Sequence, residues 1–329
     1  MSTSWTVRRI DPVTWNPMGY VDGVKSVSVR RSTDKDAPLM ESADMETLDA
    51  IEEGYYRVEA RSSSGAMVPV VTMLFNPESL PWSGGRWGGR NSGRSVLAPA
   101  SERRFAPGDY APMGVDGAAW VAHVLRDDIS APVEADGSFV LGDDVVFDSN
   151  DSHLDGAWKV LDSVGWCLRI SGRGEVTVTE RPKVATLRVS ESSGILMPGL
   201  TYNPVSVDVP NVLKVYEDGR RDPVIARNDD PESPTSTVAR GREIEEVEDN
   251  PTKRDGETTW QYSQRRLAEL SEEYETMEVE RTWVDGADPY AIWEVNLPRQ
   301  GIAGLWRVTD QSIECTGGMT VGETWGKVR

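Results

Sequence analysis

Pro210-Asn211-Val212-Leu213-Lys214-Val215-Tyr216, ended by Glu217-Asp218-Gly219 and followed by Pro223-Val224-Ile225-Ala226-Arg227, is the stretch that decides the fold class. Two β-suited runs joined by a turn containing Asp-Gly read as a hairpin. Asn228-Asp229-Asp230-Pro231 closes it. Beyond Gly241 lies an acidic strand candidate, Glu243–Glu248, then a polar loop and an amphipathic helix expected over Thr258–Met277. Trp260, Leu267, Leu270 and Tyr274 form the apolar stripe of that helix, and Arg265, Arg266, Glu269, Glu272 and Glu273 lie outside it. Three further strands are expected around Ile292–Leu297, Gly304–Thr309 and Gln311–Cys315. Strands, one helix and strands again point to a scaffold.

Upstream, residues 1–75 read as an all-β unit. Its strand candidates are Trp5–Val7, Val24–Arg30, Gly54–Ser62 and Met67–Phe75. In the second of these Val27 and Val29 share one face, while Ser26, Ser28 and Arg30 share the other. The turn Ser62-Ser63-Ser64-Gly65 returns the fourth onto the third, and Ser42–Ile51 reads as a short helix or turn-rich connection. This spacing predicts a small barrel or sandwich.

Residues 76–112 change character, with Pro77, Pro81, Pro99, Pro107 and Pro112 among paired glycines. Arg86, Arg90, Arg94, Arg103 and Arg104 make it the one basic stretch of an acidic chain. A phosphate-binding glycine loop needs a following Lys-Ser/Thr and a flanking strand and helix, and neither is present. The expectation is an extended loop whose arginines meet acidic surface, its own or a neighbour's. With Trp260, Arg265 and Arg266 of the later helix, these arginines are the candidate interface residues.

Residues 113–182 read as α/β: a helix from Asp116 to about Asp128, a second over Ser152–Val164, then a hairpin of Trp166–Ile170 and Glu175–Glu180. His123 has no neighbouring Cys or His. His153 stands near Asp148, Asp151 and Asp155 at a helix start, where Asp and Ser are expected as caps rather than ligands.

The 329 residues carry a net charge of −19 with 38% hydrophobic and 27% charged residues, a composition of globular domains. An acidic chain does not bind nucleic acid by counterion release, which needs a basic surface. The charge serves either solubility or a surface that DNA passes without sticking. No apolar run approaches the roughly 18 residues of a membrane helix, and the N-terminus reads as lacking a secretory signal. Cys167 and Cys315 lie in apolar strand patterns and are expected as buried free thiols. Twelve tryptophans against four phenylalanines suit cores and subunit interfaces alike. There is no Gly-x-Ser-x-Gly elbow, His-Glu-x-x-His pair, Cys-x-x-Cys pair or P-loop. Acidic pairs such as Asp127-Asp128, Asp143-Asp144 and Asp229-Asp230 sit beside turn residues, which turn chemistry explains. No catalytic, cofactor-binding or metal-ligating residue is assigned.

The order of these pieces resembles the baseplate or tail-tip hub proteins of tailed phages and related injection machines, the late control protein D family and its relatives. The N-terminal β unit with its Gly54–Phe75 hairpin, the segment Ser152–Leu161 running on to Gly165-Trp166 and the Gly172-Arg173-Gly174 turn, the Pro210–Tyr216 strand with Asn228–Pro234 behind it, and the closing Leu305-Trp306-Arg307-Val308 carry the likeness. It implies an α+β, mainly β chain with two tube-like β-barrel domains, at 1–75 and 183–329. Between them an α/β domain at 113–182 is implied. It further implies a homotrimer presenting six barrels around an axis. A tail-tube or distal tail protein would sit above it and a tip, spike or fibre protein below. DNA would pass through without specific binding, and no cofactor is implied. The setting is the virion tail, assembled in the host cytoplasm. The alternative from another class is a glycan-binding or cell-wall-degrading tail protein, drawn from the tryptophans and carboxylates.

Overall fold

Period-two burial governs both ends of the chain and joins them. The computed structural model describes all residues except 1–3, 34–39, 63–64, 84, 163, 205–207, 218–220, 272–274 and 329. Ser63, Ser64, Asp218, Gly219, Glu272, Glu273 and Tyr274, used above, therefore lie outside the described residues.

The N-terminal part supplies β1 (Trp5–Ile10), β2 (Pro17–Tyr20), β3 (Val24–Ser32), β4 (Glu41–Thr47), β5 (Gly54–Arg61), β6 (Met67–Ser79), β7 (Trp82–Ser83), β8 (Arg86–Trp87) and β9 (Gly89–Arg94). There follow α1 (Ala98–Glu102), β10 (Tyr110–Ala111), α2 (Gly117–Asp128), β11 (Val133–Asp136), β12 (Val145–Val146), α3 (His153–Asp162), β13 (Trp166–Ile170) and β14 (Val176–Glu180). Next come β15 (Leu187–Ser190), β16 (Thr201–Asn203), β17 (Val212–Tyr216), β18 (Val224–Arg227), α4 (Thr237–Arg240), β19 (Glu245–Asp249) and α5 (Thr259–Leu270). The chain closes with β20 (Thr276–Arg281), β21 (Ile292–Leu297), β22 (Ile302–Cys315) and β23 (Met319–Val328).

The chain is mainly β with few helices. One 13-stranded sheet runs β16-β20-β23-β22-β3-β4-β9-β6-β5-β1-β2, with β21 on β22 and β15 on β21. Strands from the two expected β units thus meet at the antiparallel β22–β3 pair, where Ile313 faces Val29 and Cys315 faces Val27. Two apolar cores lie on this sheet. Val27, Val29, Met45, Val58 and Phe75 build the first. Met277, Val279, Trp293, Trp306 and Trp325 build the second. The β22–β23 hairpin serves both: Ile313, Cys315, Met319 and Val321 enter the first, and Trp306, Val308 and Trp325 the second.

Two smaller units hang from it. In one, α2 and α3 pack on β11-β14-β13 around Val121, Leu125, Leu154, Leu161 and Leu168. Asp116 caps α2 by accepting the N–H groups of Ala118 and Ala119. In the other, α5 packs on β18-β17-β19 through Leu213, Val215, Tyr262 and Leu267, and the hairpin expected over Pro210–Arg227 is the antiparallel β17–β18 pair. A reciprocal capping box of Thr258 and Gln261 starts α5.

Four expectations need correction. Ser42–Thr47 is not a helix or turn but most of β4, whose burial alternates as Ala43, Met45 and Thr47 point inward. Residues 76–112 are not one extended loop, because β9 lies between β4 and β6 inside the long sheet. Its inward positions are Gly89, Asn91 and Gly93, so no apolar alternation announces it. A Cβ on Gly93 would come 2.7 Å from the Phe75 ring, which is why the residue there is small. The helix expected over 258–277 ends at Leu270, and Thr276–Arg281 alternates as strand β20. Gly304–Thr309 and Gln311–Cys315 are halves of the single strand β22, offset by an irregularity between Val308 and Asp310, and β23 is an additional strand.

The turn between β13 and β14 docks the α/β unit on the sheet. Gly172 O accepts from Thr72 Oγ1 at 3.0 Å, and Arg173 O accepts from Trp15 Nε1 at 2.8 Å and Arg57 Nη2 at 2.9 Å. The approach is close: a Cβ on Gly172 would lie 2.4 Å from Pro69 O. Gly172→Ala is therefore expected to cost about 1–3 kcal/mol through forced backbone displacement, measured as a lowered Tm. Gly317→Ala, with nothing within 4 Å of the added carbon, is the control and is expected to leave Tm nearly unchanged.

Candidate functional site

The region where the two cores meet differs from both, because it buries charge. On the inward side of the sheet, Arg281 of β20 is fully buried and grips Glu323 of β23 with Nη2–Oε1 at 2.5 Å and Nε–Oε2 at 2.7 Å. Glu323 also accepts Gln311 Nε2 at 2.6 Å and Trp325 Nε1 at 2.7 Å. Gln311 of β22 in turn accepts from Arg31 Nη1 of β3 at 3.3 Å. Arg31 reaches Glu41 of β4 at 2.7 Å, Asp288 at 2.7 Å and the Ile170 carbonyl of β13 at 2.7 Å. Five adjacent strands are thus linked side chain to side chain beneath the sheet. Burial works against the charge on Arg31, but Glu41 and Asp288 outweigh it and hold its pKa above the ordinary guanidinium value.

Directly opposite, the exposed side of the same strands carries small polar groups in register. One row reads Glu278, Thr324, Asp310 and Ser32 from β20 to β3. The next reads Glu280, Gly322, Ser312, Arg30, Ser42 and Arg94. A third reads Thr320, Glu314, Ser28, Asp44 and Ser92, and a fourth Ser26, Glu46 and Arg90. Hydroxyls are tied to carboxylates across strands, with Ser28 Oγ donating to Glu314 at 2.7 Å and Ser32 Oγ to Asp310 at 2.8 Å. A cleft of about 790 Å³ opens on this face, lined by Arg30, Ser42, Thr201, Glu278, Glu280 and Asp310. These rows hold no aromatic or large aliphatic side chain. Two of their arginines meet acids: Arg94 lies 2.7 Å from Glu102, and Arg90 lies 3.7 Å from Glu46. The face therefore offers hydroxyls and negative charge, a poor surface for phosphate.

The candidate interface residues do not form one patch. Arg90 and Arg94 stand on β9 at the margin of the polar face. Arg86 lies on β8, and its side chain is outside the described set. Arg103 and Arg104 are exposed and approach Asp128 at 3.6 Å and Asp155 at 3.8 Å. On α5, Trp260 is exposed, whereas Arg265 and Arg266 are largely buried. Arg265 bridges Glu257 at 2.8 Å and Glu269 at 2.9 Å, and Arg266 bridges Glu248 at 2.9 Å and Asp162 at 2.7 Å. Arg266 thereby ties α5 to α3.

Chemically reactive groups are held in structural roles. His153 Nδ1 lies 2.6 Å from Asp128 Oδ2, and its ring leans on Phe105 at 4.5 Å, joining the start of α3 to the end of α2. Cys167 and Cys315 are free and buried, and burial pushes their thiols up to about 11 and about 12. Among the described residues no group of His, Cys, Asp or Glu is placed to hold a metal ion. None of their helices is long and apolar enough to cross a membrane.

Two outcomes follow. Glu323→Leu, which strands Arg281 among apolar side chains, is expected to cost about 3–5 kcal/mol in chemical denaturation, and Arg281→Met/Glu323→Leu less than the single change. A thiol reagent at neutral pH is expected to leave the native protein unmodified and to titrate two thiols once it is unfolded, because both side chains are shielded and protonated.

No family model matches the sequence, and no curated protein matches it. Solved structures do. A tail protein from Neisseria meningitidis superposes with a TM-score of 0.69 at 14% identity, covering 99% of this chain and 97% of that one. The 43 kDa tail protein of prophage MuSo2 from Shewanella oneidensis gives 0.68 at 11% identity, covering 99% and 98%. An E. coli component of the type VI secretion system, described as similar to the bacteriophage T4 tail proteins gp27 and gp5, gives 0.54 at 10% identity, covering 93% and 74%. At these identities the likeness is one of fold, and the fold is one that these tail proteins share.

Proposed function

We propose that the chain is a non-enzymatic structural hub of a phage tail, or of an injection device derived from one. In this reading three copies form a ring that joins a tail tube above to a tip, spike or fibre protein below. The virion tail is its location, after assembly in the host cytoplasm. The observation that carries the reading is the full-length match in fold to two tail proteins. Two β cores on each subunit supply two wall segments, so three subunits present six, the number needed to adapt a sixfold tube to a threefold tip. The rows of hydroxyls and carboxylates line the channel. Phosphate is repelled there by like charge within a Debye length of roughly 10 Å at 0.1 M salt, and bases meet no aromatic platform of the kind single-strand binders provide. DNA passes without being held.

The glycan-binding alternative draws on the tryptophans, but Trp293, Trp306 and Trp325 are core residues of the second β unit. That leaves fewer rings for a sugar platform.

Light scattering is expected to give a mass near three times 36.3 kDa, with threefold rings in negative-stain images; a species of any other stoichiometry in the presence of its tail neighbours removes the ring. The channel assignment has its own check. The wild-type protein is expected not to retain DNA at low salt, and Asp44→Lys/Glu278→Lys/Glu314→Lys to retain it in a salt-sensitive way. Tight DNA retention by the wild type removes the assignment.

A further inference from the structure

The unit of β17, β18, β19 and α5 is an excursion from one point of the long sheet. The chain leaves that sheet after Asn203 of β16 and returns to it at Thr276 of β20, and these two residues are paired neighbours in the antiparallel β16–β20 ladder. Between them the chain packs on itself. Its core is built from Leu213, Val215, Ala226, Tyr262 and Leu267. None of its strands pairs with the long sheet or with β11-β14-β13. Tyr262 donates to Glu248 at 2.6 Å and Thr259 to Glu217, so polar groups of the unit are also served from within it.

Its joint to the α/β unit is of another kind. No apolar cluster spans it among the described residues. Arg254 Nη2 donates to Val164 O at 2.6 Å, Thr252 Oγ1 to Lys159 O at 3.3 Å, and Gly142 N to Lys253 O at 3.2 Å. Ion pairs cross it as well, Arg266 with Asp162 at 2.7 Å and Lys253 with Asp143 at 3.5 Å. Water reaches both, since the Asp162 and Asp143 side chains are 26% and 53% exposed. Three of these ions have a second partner on their own side of the joint. Arg266 keeps Glu248 at 2.9 Å, Lys253 keeps Glu217 at 2.8 Å, and Asp162 keeps Arg181 at 3.5 Å. The fourth, Asp143, is met by solvent. Parting the two units therefore strands no buried charge, which is the penalty that fixes other buried ion pairs in place.

We propose that this unit is a charge-clamped arm with two positions, one docked on the end of α3 and one swung away about the β16–β20 edge. Ionic strength and the two aspartates set the balance between them. Pairs that water reaches are screened at high salt, where the Debye length falls to roughly 3 Å at 1 M. Apolar burial does not depend on charge, so the cores of the arm, the α/β unit and the long sheet outlast the clamp. The arm releases while the pairing of the long sheet stays as it is. The device is built within one chain, goes beyond the hub reading and does not depend on it.

Two spin labels test it in the full chain. Both native cysteines are buried, so the double variant Val146→Cys/Val238→Cys takes one label on β12 and one on α4, both at exposed positions. At low salt the labels are expected to report one distance, and at about 1 M sodium chloride a second, longer one. Adding Asp143→Asn/Asp162→Asn to the labelled chain is expected to raise the longer population at low salt by tenfold or more. Near-ultraviolet circular dichroism of the buried Trp293, Trp306 and Trp325 is expected to stay constant throughout, because the long sheet does not open. Arg188→Gln, which breaks the exposed pair of Arg188 with Glu294 on the long sheet, is the control and is expected to leave both populations unchanged. One distance at every salt concentration and in the aspartate variant overturns the inference, and so does a release by salt that ignores the two aspartates. A longer distance that appears only with loss of the tryptophan signal overturns it too, since the units then part by unfolding.

Discussion

Charge buried between two apolar cores is the constraint on which the rest of this structure depends. Arg281, Glu323, Gln311, Arg31 and Glu41 occupy inward positions on five neighbouring strands, where a chain would ordinarily place Val or Ile. Each is tolerable only because the next strand brings a partner within hydrogen-bonding distance, so strand order and register are specified together. A slip of one residue in any of these strands would bury an unpaired ion and expose a core side chain, two penalties of several kcal/mol each. Arg31 also binds the Ile170 carbonyl, so the α/β unit takes its position from the same network.

The arrangement also bears on the continuity of the sheet. The β22–β23 hairpin crosses from one core to the other without a break in pairing, apart from the irregularity at Val308–Asp310. The sheet that carries the two cores is therefore continuous beneath the polar rows. The buried network and the two cores hold that face from behind. The α/β unit attaches to the sheet through the Gly172–Arg173 turn, and the α5 unit attaches to the α/β unit through Arg254 and Arg266 at the end of α3.

Much of the secondary structure was legible wherever apolar residues alternate or recur at helical spacing. α2, α3, the β13–β14 hairpin and the β17–β18 hairpin are such elements. The failures share a cause. β9 turns Gly89, Asn91 and Gly93 inward, so its period carries no hydrophobic signal. β4 mixes Glu41 with Ala43 and Met45, which resembles a helical or turn composition until the partner strands are known. The apolar spacing of α5 runs on toward β20, and only the pairing of β20 with β23 separates the two. Of the candidate site, the arginines of β9 were visible. The buried network was not, although each member keeps the parity of its strand: Arg31 follows Val27 and Val29, Gln311 precedes Ile313, and Glu323 lies between Val321 and Trp325. Parity was the available signal, and charge concealed it.

From the sequence by itself come the mainly β class, the helices of the α/β unit, the acidic balance and the pairing of local hairpins, because all of these depend on neighbours within a few residues or on composition. Only the tertiary structure decided that β3 pairs with β22 across 278 to 288 positions of chain, that the two β units share one sheet, and that the polar residues of six strands fall into common rows. Those outcomes depend on which distant strand supplies the missing hydrogen bonds and which distant side chain neutralises a buried ion. Local periodicity contains neither.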